Sequence, residues 1–230
     1  MRNPIPSHGT FSREPRCMIT EQRSLRVQRI HRAWKNGMTL TLDSRAEAVL
    51  KFWFGSVNGT DKRDVWFKKD PAFDAEIAKK FGEDYERARD GAYDGWQKLP
   101  QSALALVILL DQFPRNMFRD DPRAFTTDKK ALDVAQHAVA QRFDQEVTPT
   151  QRTFFYLPYE HSEDLMLQER AKELNRALPD WEQPGSSYSY AVQHWDIIRR
   201  FGRFPHRNAV LGRASTASEE EFLKHPGSGF

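Results

Sequence analysis

The chain has 230 residues, of which 39% are hydrophobic and 12% aromatic, and its formal net charge is +3 at neutral pH. This composition provides enough apolar material for a sizeable core and excludes a disordered protein. The single cysteine, Cys17, excludes an intramolecular disulfide and fits a reducing compartment, so we expect a cytoplasmic protein. The one long apolar run, 103–110, has eight residues. A bilayer requires about 20, which argues against a membrane protein.

The positive charge is concentrated near the N-terminus. Residues 1–42 contain eight Lys and Arg against two acids, whereas residues 43–230 carry a net charge of −3. We therefore predict a basic, disordered and dispensable extension over 1–42, followed by a single domain over 43–230. Two alternatives stay open for the extension: a transit peptide, or an arm that binds nucleic acid or an anionic surface. The acidic charge of the domain argues against nucleic acid as its partner.

Helix signals begin directly after the extension. Ser44 and Glu47 have the spacing of a capping box, which predicts a helix over 46–54 that ends at Gly55. Asp70-Pro71 supplies an N-cap followed by a first-turn proline, and this pair predicts a long helix that ends near residue 91.

The next predicted helix is the most apolar segment of the chain. Leu99-Pro100 opens it, and it covers residues 101–113. We expect Pro114 to stop it, because proline lacks the amide hydrogen and clashes with the preceding turn. Since the segment is apolar on all sides, we expect it to be the central and most buried helix.

The second half of the chain contains further helix signals and almost no strand signals. The predicted helices cover 128–142, 150–157, a segment that begins after His161 or Ser162, 188–201, and a short helix after the capping box Thr216-x-x-Glu219. We predict that Pro158 breaks the helix over 150–157 and that Gly202 ends the helix over 188–201. Helices joined by short links predict an all-α fold, arranged as an antiparallel helical array.

Asp111 is the first candidate for a functional residue, because it stands alone among apolar residues at the end of the central helix. A carboxylate in that position faces both the negative end of the helix dipole and a loss of hydration. It therefore needs a cation, and Arg115 or the basic turn discussed below can provide one. A purely structural ion pair is an equally simple interpretation, since buried charges are normally paired.

A second candidate group surrounds His161. Tyr156–Asp164 places three acids and this histidine around a helix start. A carboxylate beside an imidazole raises its basicity and fixes its tautomer, as acid–base catalysis requires, so we predict that Glu163 or Asp164 orients His161. The acids also suit a helix N-terminus for structural reasons alone, and that alternative stays open.

Further candidates lie towards the C-terminus. His194 lies on a mostly apolar helix face, which is typical of a core histidine, although a ligand or catalytic role is also compatible. Beyond Gly202, a turn shaped by glycine and proline carries guanidinium groups suited to hold a carboxylate or phosphate, unless internal acids neutralise them. The candidates on this turn are Arg203, His206, Arg207 and Asn208.

Several well-known motifs are absent from the sequence. We find no phosphate-binding loop, dinucleotide fingerprint, nucleophile elbow or zinc-protease motif. The histidines and Glu163 match no local ligand spacing, so we predict no metal site. Any cofactor stays unidentified, and the sequence leaves open whether the protein is an enzyme.

Three motifs, in this order, resemble the bacterial domain-of-unknown-function family 924: Leu110–Asn116, Tyr156–Glu163 and Arg203–Asn208. Supporting matches are Phe52–Phe54, Trp66-Phe67 and Gly212–Thr216, and the resemblance covers about residues 44–225. It implies an all-α fold similar to tetratricopeptide repeats (TPR-like). It implies no activity, because the family has none assigned.

Our leading hypothesis is a polar pocket on a helical domain that binds, or acts on, an anionic small molecule. In this hypothesis His161 carries protons, assisted by Glu163 and His206, while Arg203 and Arg207 neutralise the anion. The remaining site residues are Asp111, Arg115, His194 and Asn208. The alternative is a TPR-like scaffold that binds a protein or peptide and whose polar cluster is structural. Nucleic-acid binding through the extension is a third and weaker hypothesis.

Overall fold

The computed structural model describes residues 41–229, so residues 1–40 of the predicted extension lie outside the described part. Residues 41–229 contain helices and no strand, which confirms the predicted all-α class. The α-helices are α1 (Ser44–Phe54), α2 (Pro71–Arg89), α3 (Pro100–Val107), α4 (Phe113–Met117), α5 (Asp128–Ala140), α6 (Pro149–Glu160), α7 (Leu165–Arg176), α8 (Ser187–Phe201) and α9 (Ala217–Leu223). None of these described helices is long and apolar enough to span a membrane.

The first two helices follow local capping chemistry, with one correction. The cap of α1 is Asp43, whose carboxylate accepts hydrogen bonds from the amides of Arg45 and Ala46, and not the predicted Ser44. Gly55 ends α1 with a φ of +80°, a conformation that a side chain disfavours. Asp70 caps α2 through the amides of Ala72 and Phe73, as predicted.

The central helix does not stop at Pro114, contrary to the prediction. After α3 it widens into a π-helical turn, Ile108–Gln112, and then continues as α4 to Met117. Proline at position 114 provides no amide hydrogen for the carbonyl of Leu110. The Thr127 hydroxyl fills this gap and donates to the Leu110 carbonyl at 2.6 Å. Because a residue distant in sequence satisfies the carbonyl, the helix can pass through the proline.

Helix α6 also passes through a proline, and this too corrects the prediction. Thr148 and Gln151 form its capping box, and the helix continues past Pro158 to Glu160. All the residues from Phe154 to Glu160 are buried, so tertiary packing outweighs the local cost of the proline. As a result His161 lies directly at the C-terminal end of α6.

The core is built around α3 and the π-helical turn, in which every residue from Ser102 to Gln112 is buried. An aromatic cluster packs beside it, with ring centroids of Trp53 and Phe113 5.6 Å apart and those of Trp66 and Phe154 4.9 Å apart. This confirms the sequence-based expectation of a central, fully buried apolar helix. The site described below lies where this helix emerges from the core.

The C-terminal elements form a smaller second cluster. Ser186 caps α8, and Gly202 ends it with a φ of +68°, as predicted. Phe204, Ile197 and Ile198 form a buried group separate from the main core. Thr216 and Glu219 form both hydrogen bonds of the predicted capping box at the start of α9. The basic turn over 203–208 therefore lies between two well-capped helices.

Candidate functional site

A buried polar network lies where four segments of the chain meet: the π-helical turn with α4, the first turn of α5, the end of α6, and the basic turn over 203–208. Its members are Asp111, Arg115, Asp128, His161 and Arg207. Residues as far apart in sequence as 111 and 207 are thereby brought together. Four of them were predicted site residues, and Asp128 was predicted only as the first residue of a helix.

Asp111 is fully buried and its carboxylate is surrounded by donors. One oxygen lies 2.6 Å from Nδ1 of His161 and 3.2 Å from Nη1 of Arg115. The other oxygen accepts a hydrogen bond of 2.6 Å from the amide of Gln112. The predicted need for a cation is therefore met by Arg115, four residues further along the same continuous helix.

The charge states of Asp111 and His161 determine where their protons lie. Burial alone would raise the pKa of Asp111, but its interactions with His161, Arg115 and Gln112 hold that pKa well below the usual value. An ionised carboxylate only accepts hydrogen bonds, so Nδ1 of His161 carries the hydrogen and donates it to Asp111. Burial, together with the charge of Arg115, lowers the pKa of His161. At neutral pH this histidine is an uncharged base whose Nε2 can accept a proton.

Arg115 is neutralised by two acids. Its guanidinium donates to both oxygens of Asp128, at 2.8 and 2.9 Å, and to the backbone carbonyl of Asp111 at 2.8 Å. This bidentate geometry is the strongest form of an arginine–carboxylate contact. Arg115 therefore has a structural role, because it joins the π-helical turn to the first turn of α5.

Arg207 is held differently. Its guanidinium carbon lies 4.9 Å from the ring centroid of Phe125 and 4.4 Å from that of Phe204, and its Nη1 donates to the carbonyl of His161 at 3.0 Å. Asp128 is 3.7 Å away, and the buried Nε has no hydrogen-bond partner among the described residues. Burial and then the charge of Arg115 lower the pKa of Arg207 to about 10. Its positive charge is thus only partly compensated.

A cavity of about 310 Å³ opens beside His161 and Arg207. The polar residues that line it are these two with Asp128, Lys129, Ser162 and Glu163, and the apolar ones are Leu132, Pro158 and Leu211. This volume lies at the lower end of the range typical of small-molecule pockets, ~300–1,000 Å³. A base and an incompletely neutralised guanidinium therefore line the same small cavity.

Behind the His161 ring lies a second buried pair, Glu160 and His194. The centroids of the two histidine rings are 6.3 Å apart. Burial raises the pKa of Glu160 to about 8, although the amide of Asn175 donates to its carboxyl at 2.8 Å. Burial lowers the pKa of His194 to about 3, and its Nδ1 donates to the carbonyl of Tyr190 at 2.9 Å. Nδ1 of His194 lies 3.7 Å from a carboxyl oxygen of Glu160. These pKa values leave both groups uncharged at neutral pH, so this contact joins two neutral groups.

Glu163 lines the cavity but does not orient His161, contrary to the prediction. Its carboxylate accepts two hydrogen bonds from Arg213, at 2.7 and 3.0 Å, and one from the amide of Phe204 at 2.8 Å. Although burial opposes ionisation, these donors lower the pKa of Glu163. Asp164, the other predicted partner, caps α7 instead. Asp111, fifty residues earlier in the chain, takes the orienting position.

Other predicted residues of the basic turn lie outside this cavity. Arg203 is bound to Glu219 at 2.7 and 2.8 Å, on the wall of a separate surface hollow of about 410 Å³. Asn208 is buried and bonds Ser215 at 3.1 Å. Burial and then the charge of Arg207 lower the pKa of His206 to about 4, and its ring packs 5.5 Å from that of Phe204. None of these three side chains lines the cavity beside His161.

Several members of the site were not predicted from the sequence. Asp128 and Arg213 belong to helix-start and turn segments where charged residues are common, so nothing local distinguishes them. Glu160 gave a better signal, since it is an acid next to His161 in an otherwise apolar segment. Across residues 41–229, no group of three or more His, Cys, Asp or Glu side chains is placed to hold a metal ion.

Comparison with known proteins defines the class to which this helical domain belongs. The model of a bacterial protein family of unknown function, DUF924, matches residues 49–227. The chain belongs to this family, as the three sequence motifs indicated. It is similar to the solved structure of a protein of unknown function, ATU0120 from Agrobacterium tumefaciens, with 40% identity and a TM-score of 0.72. The match covers 79% of this chain and 97% of that one. No curated protein matches the chain.

Proposed function

We propose that the cavity beside His161 binds a small anionic molecule and that His161 acts on it as a general base. One observation carries the proposal: Nδ1 of His161 is fixed by buried Asp111 at 2.6 Å while the same histidine lines a cavity with Arg207. A carboxylate that fixes one ring nitrogen leaves the other to exchange protons with a bound molecule.

The charge state of His161 supports a base more than an acid. Its lowered pKa keeps the ring neutral at physiological pH, so Nε2 is available without prior loss of a proton. When His161 accepts a proton, the adjacent carboxylate of Asp111 stabilises the imidazolium. In this role Asp111 is a positioning residue, since it touches the base and is fully buried.

The state of Arg207 supports an anion as the ligand. This guanidinium is buried, and among residues 41–229 it donates one hydrogen bond, to the carbonyl of His161. Binding of an anion stabilises a buried cation whose charge is incompletely compensated. Lys129, also on the cavity wall, adds a second positive charge at the solvent side, although it pairs with Asp133 at 2.9 Å.

A second candidate function, a scaffold for a protein or peptide partner, is supported by the other charged side chains. Arg115, Arg203 and Arg213 each have bidentate carboxylate partners and need no ligand. On this hypothesis the whole network is structural, Arg207 included. The first function predicts that the cavity binds an anion, whereas the second predicts that the network around it only stabilises the fold.

The test is a thermal-shift and NMR titration of the full chain with acetate, hexanoate, benzoate, succinate, citrate and inorganic phosphate. The variants are His161→Asn, whose amide can still donate to Asp111, and Arg207→Met. The control is His225→Asn, at an exposed position outside the cavity wall. We expect at least one anion to raise the melting temperature, to shift the His161 ring signals, and to lose its effect in Arg207→Met.

The outcome for His161→Asn separates binding from chemistry. This variant should fold and bind the same anion, because the base itself is not the anion contact. If no anion shifts either signal, and both variants melt well below the control, the network is structural and the scaffold function is favoured.

A further inference from the structure

We infer that the ligand of this cavity is a small monocarboxylic acid with a short apolar group, bound as a monoanion. The inference rests on the proposed function and specifies the chemical class of its ligand. It follows from two properties of the cavity: the balance of charges around it, and the mixture of polar and apolar side chains that line it.

Acidic and basic side chains in and behind the cavity wall are equal in number. The acids Asp111, Asp128 and Glu163 are matched in number by Arg115, Arg207 and Arg213. His161 is neutral, and Lys129 is paired with Asp133. One added negative charge can be compensated by direct contact with Arg207, which lines the cavity. A dianion would bring a second negative charge towards the carboxylates of Asp128 and Glu163, which line the same cavity, and this repulsion opposes its binding.

The geometry of Arg207 also favours one planar anion. The ring centroids of Phe125 and Phe204 lie 4.9 and 4.4 Å from the guanidinium carbon, and all N–H groups lie in the guanidinium plane. Nη1 is already directed to the carbonyl of His161 at 3.0 Å. The donors that this bond does not use stay in the same plane, and two parallel N–H groups match the two oxygens of a carboxylate.

Three apolar side chains also line the cavity: Leu132, Pro158 and Leu211, of which Leu211 is 37% exposed. A ligand group of a few carbons would remove these side chains from water, and each buried methylene strengthens binding about fourfold. The cavity volume of about 310 Å³ limits that group to a short chain or one ring.

The experiment measures dissociation constants for acetate, butyrate and hexanoate with the full chain by NMR titration. Hexanamide tests the need for charge, and succinate and inorganic phosphate test the monoanion. We expect affinity to rise about fourfold per methylene from acetate to hexanoate. Hexanoate should bind at least tenfold more tightly than hexanamide, succinate or phosphate.

Two variants test which side chains contact the anionic end and the apolar end of the ligand. Arg207→Met should remove the preference for hexanoate over hexanamide and keep the dependence on chain length. Leu211→Ser should weaken that dependence and keep the preference for the anion. Leu165→Ser is the matched control, because Leu165 is 42% exposed and lies outside the cavity wall.

Each other outcome overturns a defined part of the inference. Tighter binding of succinate or phosphate in wild type, lost in Arg207→Met, would reject the monocarboxylate and keep the anion site. Affinity that does not change with chain length would reject the apolar group. If none of the probes binds, both this inference and the proposed function fail.

Discussion

At the scale of single residues, two adjacent positions at the end of α6 have opposite electrostatic roles. His161 is held by an ionised acid, whereas Glu160 is itself a neutral acid inside the core. Glu160 is fully buried, with an amide and no cation within hydrogen-bond distance among the described residues. A carboxyl group in such surroundings keeps its proton because ionisation would leave a buried charge without compensation.

This state of Glu160 predicts how stability depends on pH. Its folded-state pKa of about 8 lies above the unfolded value of 4.5. The stability contributed by the protonated form is therefore fully present below pH 4.5 and is lost as the pH rises towards 8. Glu160→Gln imitates the neutral acid and should abolish this loss, which makes the variant more stable than wild type at pH 8, on the order of 1 kcal/mol or more.

Urea unfolding of both proteins between pH 5 and pH 8.5 measures the effect. Glu173→Gln, an exposed position on α7, is the control and should follow the wild-type profile. A Glu160→Gln variant that is less stable than wild type at every pH would mean that Glu160 is ionised in the folded protein.

At the scale of secondary structure, the continuous helix from α3 to α4 positions Asp111. The π-helical turn is closed by the hydrogen bond from the amide of Phe113 to the carbonyl of Ile108. It is followed directly by Pro114, and the Leu110 carbonyl then depends on Thr127. Thr127 adjoins Asp128, so one short segment supports both the helix and its arginine.

The prediction at this scale concerns that single hydroxyl. Thr127→Val has nearly the same shape but leaves the buried Leu110 carbonyl without its donor. The cost should be about 1–3 kcal/mol of unfolding free energy. Thr153→Val on α6, where the hydroxyl lies 3.5 Å from the Pro149 carbonyl, should cost less than about 0.5 kcal/mol.

A double variant tests the physical reason. Pro114→Ala restores an amide hydrogen near the Leu110 carbonyl, so Thr127→Val should cost less in that background than in wild type. Equal costs in the two backgrounds would show that Thr127 stabilises the protein through its other contacts, such as the one with the Tyr85 side chain, and not through this hydrogen bond.

The accuracy of the sequence-based predictions depended on how far apart in the sequence the interacting residues lie. Asp70, Gly202 and the Thr216 capping box depend on neighbours within four residues, and all three were predicted correctly. Pro114 and Pro158 were wrongly predicted to end helices. The helices continue because the distant Thr127 hydroxyl compensates for Pro114 and tertiary packing compensates for Pro158, and neither effect is visible in the neighbouring sequence. The partner of His161 was also predicted wrongly, since Asp111 lies fifty residues away and Glu163 only two.

At the scale of the whole described domain, the site lies between the main core and the smaller C-terminal cluster. Asp111 and His161 adjoin the main core, whereas Arg207 comes from the turn that contains Phe204 of the second cluster. Arg213 joins these parts, because its guanidinium bonds Glu163, the Phe204 carbonyl and the Asn208 side chain. The position of Arg207 beside His161 therefore depends on how firmly the C-terminal cluster is attached.

Because of this dependence, we expect Arg213→Met to destabilise the C-terminal cluster locally. The variant loses the bidentate pair with Glu163, which is partly exposed, so the cost should be about 1–3 kcal/mol. We expect faster amide hydrogen exchange over 197–223 and unchanged exchange over 102–110, because the main core is not touched. Arg199→Met, which removes an exposed pair with Asp196, is the control and should change neither segment. If exchange accelerates equally in both segments, the C-terminal cluster unfolds only together with the core, and Arg207 is held by the fold as a whole.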